Sequence, residues 1–340
     1  MATPLGMPAI PLRTTAPPWR SAWDAALYGP GGFFRTQSPA DHFRTSVHGS
    51  DLMARALLTL LDRAGLDTLV DVGAGRGELL VALHRLDPTL ELLGVEVAAR
   101  PGELPAQVDW SPVLPTSVDG LVIAHEWLDN VPCHVVEVDD TGSPRVVHVD
   151  PATGEESLGH RVDADGVPAT LQEWLAEWWP LDGYAPGTRA EVGTSRDRAW
   201  GDLVGRMDRG LAIAVDYGHL RADRPALGSL RSYLHGREVD VLPDGSRDVT
   251  AHVAVDALAA ATGGMLVRQR DALAALGLET TRPPHGLAEA DPAAYLSALE
   301  RTTRAADLVA PGGLGDFWWV VCGRGGIDAS VLSPLGVPRD

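Results

Sequence analysis

Apolar positions along the chain alternate between two spacings. Thr68 to Val72 is a short β-branched run of the kind found in strands covered on both faces. Leu79, Leu80, Leu83 and Leu86 then fall on roughly one side of a helix, and a second apolar run covers Leu90 to Val97. This order predicts a β–α–β unit. Further buried strands are expected at Val118–Ala124 and Gly210–Val215, with a short extended piece near Val108–Trp110, a short strand at Met265–Arg268 and a last strand at Phe317–Cys322, about seven strands in all. Helical spacing appears at Trp19, Trp23 and Leu27, then from Asp51 to Ala64 after a capping Ser50. It recurs at Asp197–Met207, at 254–262 with Thr250 as its cap, from Gln269 to Gly277, and broadly at Ala288–Val309. Tyr28 to Phe34 and Asp41 to Ser46 are expected as loop.

These elements predict an α/β chain with a doubly wound, Rossmann-like sheet. Residues 1–18 read as a flexible, Pro-rich arm, and 19–66 as a loop and helix segment covering the active site. The sheet domain takes 67–132 and 191–327. Residues 133–190 read as an inserted hairpin and helical subdomain, with the hairpin turning at 141–144 and Trp174, Trp178 and Trp179 as packing. Residues 328–340 read as a tail.

The first unit carries specific chemistry. Its strand ends in Gly73-Ala74-Gly75-Arg76-Gly77, and Glu96 closes the second strand. Glycines let the backbone turn tightly and approach a ligand, and a carboxylate at the second strand tip can accept from both hydroxyls of a ribose. Asp71 and Glu78 flank the turn. Two more negative charges suit a pyrophosphate poorly and suit a nucleoside with a cationic centre well. S-adenosyl-L-methionine is the expected cofactor, held by Asp71, Gly73, Gly75, Gly77 and Glu96. NAD or FAD, or a tight turn with no ligand, are the alternatives.

Other polar groups gather at later strand tips, where open α/β sheets collect reacting residues. Glu126 and Asp129 follow the strand at 118–124, and Asp216 and Tyr217 follow that at 210–215. Glu126 and Asp129 are three apart, so a helical turn there would let both face the crevice.

Lys plus Arg number 28 against 46 Asp plus Glu, a net charge of −18. That charge disfavours nucleic acid and favours a basic partner, or else simply serves solubility. Cys133 and Cys322 are too few for a disulfide framework, and no zinc spacing or other metal site is seen. No apolar run is long enough to span a membrane, and a cytoplasmic location is expected. The oligomeric state, a homodimer included, stays open.

Six motifs in one order resemble the MidA/NDUFAF7 (DUF185) family of S-adenosylmethionine-dependent methyltransferases, over roughly residues 28–322. They are Gly31-Gly32 with His42-Phe43-Arg44-Thr45-Ser46, Val72 to Gly77, His125 to Pro132, Asp216-Tyr217-Gly218, Ser229 to Tyr233, and Asp248 to Val253. This chain has His125 where the family motif has Asn, and Ala254 where an acid is usual. The resemblance implies a seven-stranded class I methyltransferase sheet, Thr45 and Ser46 near the cofactor, and an arginine of a partner protein as acceptor. For that planar cation carboxylates are the expected clamp, Glu126 first and Asp129 and Asp216 next, with Tyr217 and His252 orienting the acceptor or taking its proton. A small-molecule or other side-chain methyltransferase, and a non-catalytic assembly protein keeping the fold, are the alternatives.

Overall fold

The structure is a computed structural model describing residues 16–36 and 51–332. The expected site residues Thr45 and Ser46 lie outside them. In chain order the described elements begin with α1 (Trp19–Tyr28), α2 (Phe33–Thr36), α3 (Asp51–Ala64), β1 (Thr68–Val72), α4 (Glu78–Leu86), β2 (Glu91–Val95), β3 (Val108–Ser111) and β4 (Val118–His125). Then come β5 (His134–Val138), β6 (Pro144–Val149), β7 (Glu156–Arg161), α5 (Ala169–Trp178), β8 (Arg189–Val192), α6 (Thr194–Val204) and β9 (Met207–Asp216). The chain continues with β10 (Gly218–His219), β11 (Arg231–Leu234), β12 (Arg237–Val239), β13 (Asp248–Thr250), β14 (Val253–Ala254) and α7 (Val255–Thr262). Last are β15 (Met265–Arg268), α8 (Gln269–Ala275), α9 (His285–Ala290), α10 (Pro292–Val309) and β16 (Trp318–Arg324).

Seven strands form the central sheet in the order β15-β16-β9-β4-β1-β2-β3. β3, β2, β1, β4 and β9 pair in parallel, and β16 runs against both of its neighbours. The chain leaves β1 toward β2 and β3, then returns to place β4 on the other side. That reversal opens a crevice beyond the carboxyl ends of β1 and β4, the usual ligand position in such sheets. Alternation divides the core between the two faces. Leu121 and Ile123 of β4 join α3, α4 and α8, while Val122 and Ala124 join α6 and α7. The α/β class and the seven-stranded sheet are those expected from the apolar runs.

Several local expectations are corrected. The insertion is more than a hairpin with helices: β5 and β6 pair antiparallel within a four-stranded sheet, β7-β6-β5-β8, under α5. Trp174 and Trp179 are buried in its core. The helix expected at 197–207 starts and ends three residues earlier, because Met207 already belongs to β9. Thr250 does not cap α7; its hydroxyl donates to Asp129 Oδ2 at 2.7 Å, and α7 begins only after β14. The long C-terminal helix is divided at Asp291, whose carboxylate accepts from Ala294 N ahead of Pro292. Phe33 and Phe34 lie in the short helix α2 rather than in loop. Among the described residues no helix is long and apolar enough to cross a membrane.

One buried cation joins three segments. Arg196 of α6 is 2% exposed. Its Nε donates to the Val131 carbonyl at 3.2 Å, Nη2 to that of Asp129 at 2.7 Å, and Nη1 to that of His252 at 2.7 Å. Its guanidinium also stands 5.7 Å from the Trp23 ring centre on α1. Arg196→Met keeps the length and leaves three carbonyls without their donor. Unfolding in urea is expected to show a loss of about 3 kcal/mol; a loss well below about 1 kcal/mol would deny Arg196 this role.

Candidate active site

Beyond β1 and β4 lies a cavity of about 260 Å³. The turn after β1 shapes one wall. Gly73, Gly75 and Gly77 all have positive φ (74°, 58° and 77°), the region that favours glycine. Their roles differ. A Cβ on Gly73 would press on Trp127 at 3.0 Å, and one on Gly77 would press on Leu104 at 2.7 Å. A Cβ on Gly75 would meet nothing within 4 Å, so backbone is presented to open space there. Gly73 and Gly75 line the cavity and Gly77 is not among its lining residues.

Glu96 stands beside this turn. Its carboxylate accepts from Gly75 N at 3.0 Å, Val97 N at 2.7 Å and Ala98 N at 3.2 Å. Three amides fix its direction and leave lone pairs for a diol. Asp71, in β1, lines the same cavity at 5% exposure. Burial, with Glu96 and Glu78 nearby, pushes its carboxyl up to about 7. Val97, Pro112 and Leu114 supply apolar wall beyond Glu96, while Tyr28 of α1 and Phe34 of α2 bring aromatic surface from the N-terminal segment.

The end of β4 carries the other functional face. Glu126 has φ 49°, an uncommon conformation for a residue with a side chain. Glu126 lines the cavity, and its Oε1 lies 3.5 Å from His125 Nδ1. Burial lowers His125 to about 4, so its imidazole is neutral near pH 7.

Asp129, Asp216 and Tyr217 are not among the lining residues; they form the support of that face. Asp216 Oδ2 accepts from the backbone amides of Leu128 and Asp129, both at 3.1 Å. Asp129 Oδ2 accepts from the hydroxyls of Tyr217 and Thr250. Burial raises both carboxyls, and the charges of Asp129 and Glu126 raise Asp216 further. His252 is exposed, its ring 5.1 Å from that of Tyr217.

Among the lining residues that sequence reasoning did not single out are Tyr28, Phe34, Trp127 and Asn130. The aromatic content of the Gly-rich N-terminal stretch was the available signal for the first two. Nothing in the pattern marked Arg196, which falls just ahead of the helix expected at 197–207.

A family model described as "Putative S-adenosyl-L-methionine-dependent methyltransferase" matches residues 83–269, more than half of the chain. The chain belongs to this methyltransferase family. Its fold is also that of two solved COG1565 superfamily proteins from Burkholderia thailandensis. One, bound to S-adenosyl-homocysteine, is 24% identical with a TM-score of 0.71, covering 92% of this chain and 88% of that one. The other, a native crystal structure, is 25% identical with a TM-score of 0.72, covering 95% and 91%. No curated protein matched the sequence.

The cofactor of this methyltransferase is therefore S-adenosylmethionine, and the residues present suit it. Gly75 offers an open cradle, Glu96 two acceptor oxygens for a ribose, and Asp71 and Glu126 negative charge for a cation. Asp71 makes a pH test available. Binding a cation favours its ionised form, so below about 7 the incoming charge must displace a proton. Affinity for S-adenosylmethionine is expected to rise from about pH 5.5 to about pH 7.5 and then level off. Calorimetric titration of Asp71→Asn should show weaker binding and a flatter pH profile; an unchanged slope would contradict this assignment.

Proposed function

We propose that this methyltransferase acts on the guanidinium of an arginine carried by a partner protein. The observation carrying this reading is Glu126, a cavity-lining residue with a left-handed backbone, in a lining that also holds Asp71, Glu78 and Glu96 against one arginine, Arg76. S-adenosylmethionine supplies an electrophilic methyl group whose sulfonium charge is lost on transfer. The chain's task is to bind, orient and deprotonate the acceptor.

A guanidinium suits that task. Glu126 can accept its N–H groups and hold one nitrogen toward the methyl group. That nitrogen forms the new N–C bond, the C–S bonding pair stays on sulfur, and the nitrogen gives up one proton. Glu126 is the carboxylate placed to receive it. Asp216 and Arg196 do not meet the acceptor; they fix the 128–131 loop that follows Glu126. Tyr28 and Phe34 give the methylene part of the arginine side chain aromatic surface and help exclude water. The net charge of −18 supports a basic partner.

Mass spectrometry of proteins from deletion and wild-type cells tests this reading. At least one peptide is expected to carry methylarginine only when the gene is present, and Glu126→Gln should not restore it. No methylarginine difference between the two cell lines would remove the protein-arginine assignment and favour a small-molecule acceptor.

A further inference from the structure

Asn130 lines the same cavity as Glu126, and its carboxamide is held in a fixed sense. Nδ2 donates to Asp248 Oδ1 at 2.9 Å and to the Val249 carbonyl at 3.1 Å. A backbone carbonyl only accepts, so the nitrogen must face it. Both amide hydrogens are thereby used, and Oδ1 is the group left for the cavity. The surroundings hold this orientation. Asn130 is 6% exposed, and the Tyr28 hydroxyl donates to its backbone carbonyl at 3.3 Å. The adjoining carbonyls of Asp129 and Val131 are both bound by Arg196.

A neutral oxygen here does something a further carboxylate would not. Asp71, Glu78, Glu96 and Glu126 already line this cavity, against a single arginine, Arg76. An amide oxygen adds a directed acceptor and no charge. A guanidinium, with five N–H groups in a planar fork, can reach a carboxylate and a second acceptor together; an ammonium is a compact charge with less demand on direction.

We propose that Asn130 is a specificity-determining residue of the acceptor site, its Oδ1 joining the Glu126 carboxylate in a two-point receptor for a planar guanidinium. The assignment rests on the cationic-acceptor reading above and extends it. Asp248 and Val249 act through Asn130 and are positioning groups.

The test uses the full chain saturated with S-adenosylhomocysteine and titrated with ethylguanidinium or ethylammonium, followed by NMR. Wild type is expected to bind ethylguanidinium more tightly. Asn130→Ala should weaken ethylguanidinium about tenfold, leave ethylammonium within about threefold, and keep S-adenosylhomocysteine affinity. Glu126→Gln should weaken both cations. Ethylguanidinium binding unchanged in Asn130→Ala, with Glu126→Gln still impaired, overturns the role of Asn130 and leaves the cationic-acceptor reading standing. Loss of S-adenosylhomocysteine affinity in Asn130→Ala also overturns it, by placing the residue on the cofactor. A wild type that binds neither cation overturns both. If Asn130→Ala does not fold, Asn130→Ser carries the same expectations.

Discussion

The turn after β4 is gripped through both polarities of its backbone. Asp216 accepts two of its amides, and Arg196 donates to two of its carbonyls. A loop at a strand tip has few ladder bonds of its own, and unpaired buried backbone groups are costly. Here the partners come from β9 and α6, so the end of an inner strand and a helix fix a segment that neither contains. The uncommon φ of Glu126 is tolerated at the start of that segment. Its carboxylate and the Asn130 amide are in this way aimed by elements that do not themselves line the cavity.

Charge is the second constraint. Asp71, Glu96 and Glu126 share one small cavity, while Asp129, Asp216 and Asp248 are buried around it. Burial raises Asp71, Glu96, Asp129, Asp216 and Asp248 alike. Ionising such groups together without a counter-charge opposes folding. Arg196 is the counter-charge inside the loop framework, and it lowers both Asp129 and Asp216. Across the cavity, a cationic ligand does for Asp71 what Arg196 does for the framework. Asp71 and Glu96, which oppose folding when ionised at neutral pH, are also the raised carboxyls that line the cavity where a sulfonium would bind.

The parts of this arrangement visible in the sequence are those with a short-range cause. The apolar runs reported strands because burial on both faces demands them. The glycine turn and Glu96 were legible because tight backbone geometry and a strand-tip acid occur at a fixed spacing. Long-range partners were not legible. Asp129, Asp216 and Glu126 look alike as strand-tip acids, and only the fold separates the one lining the cavity from the two that hold its support. Nothing sets Arg196 apart until three carbonyls from two distant loops converge on it. Thr250 carried a sound capping pattern, but its hydroxyl is taken by Asp129 from a loop over a hundred residues away.

In the proposed reaction the crevice above β1 and β4 orients a sulfonium nucleoside between Glu96 and Glu126. A crystal structure of the complex with S-adenosylhomocysteine measures this directly. The ribose hydroxyls are expected within hydrogen-bond distance, about 3 Å, of the Glu96 carboxylate, with the sulfur facing the Glu126 and Asn130 side. A ribose held elsewhere, or a sulfur turned away from Glu126, would contradict it.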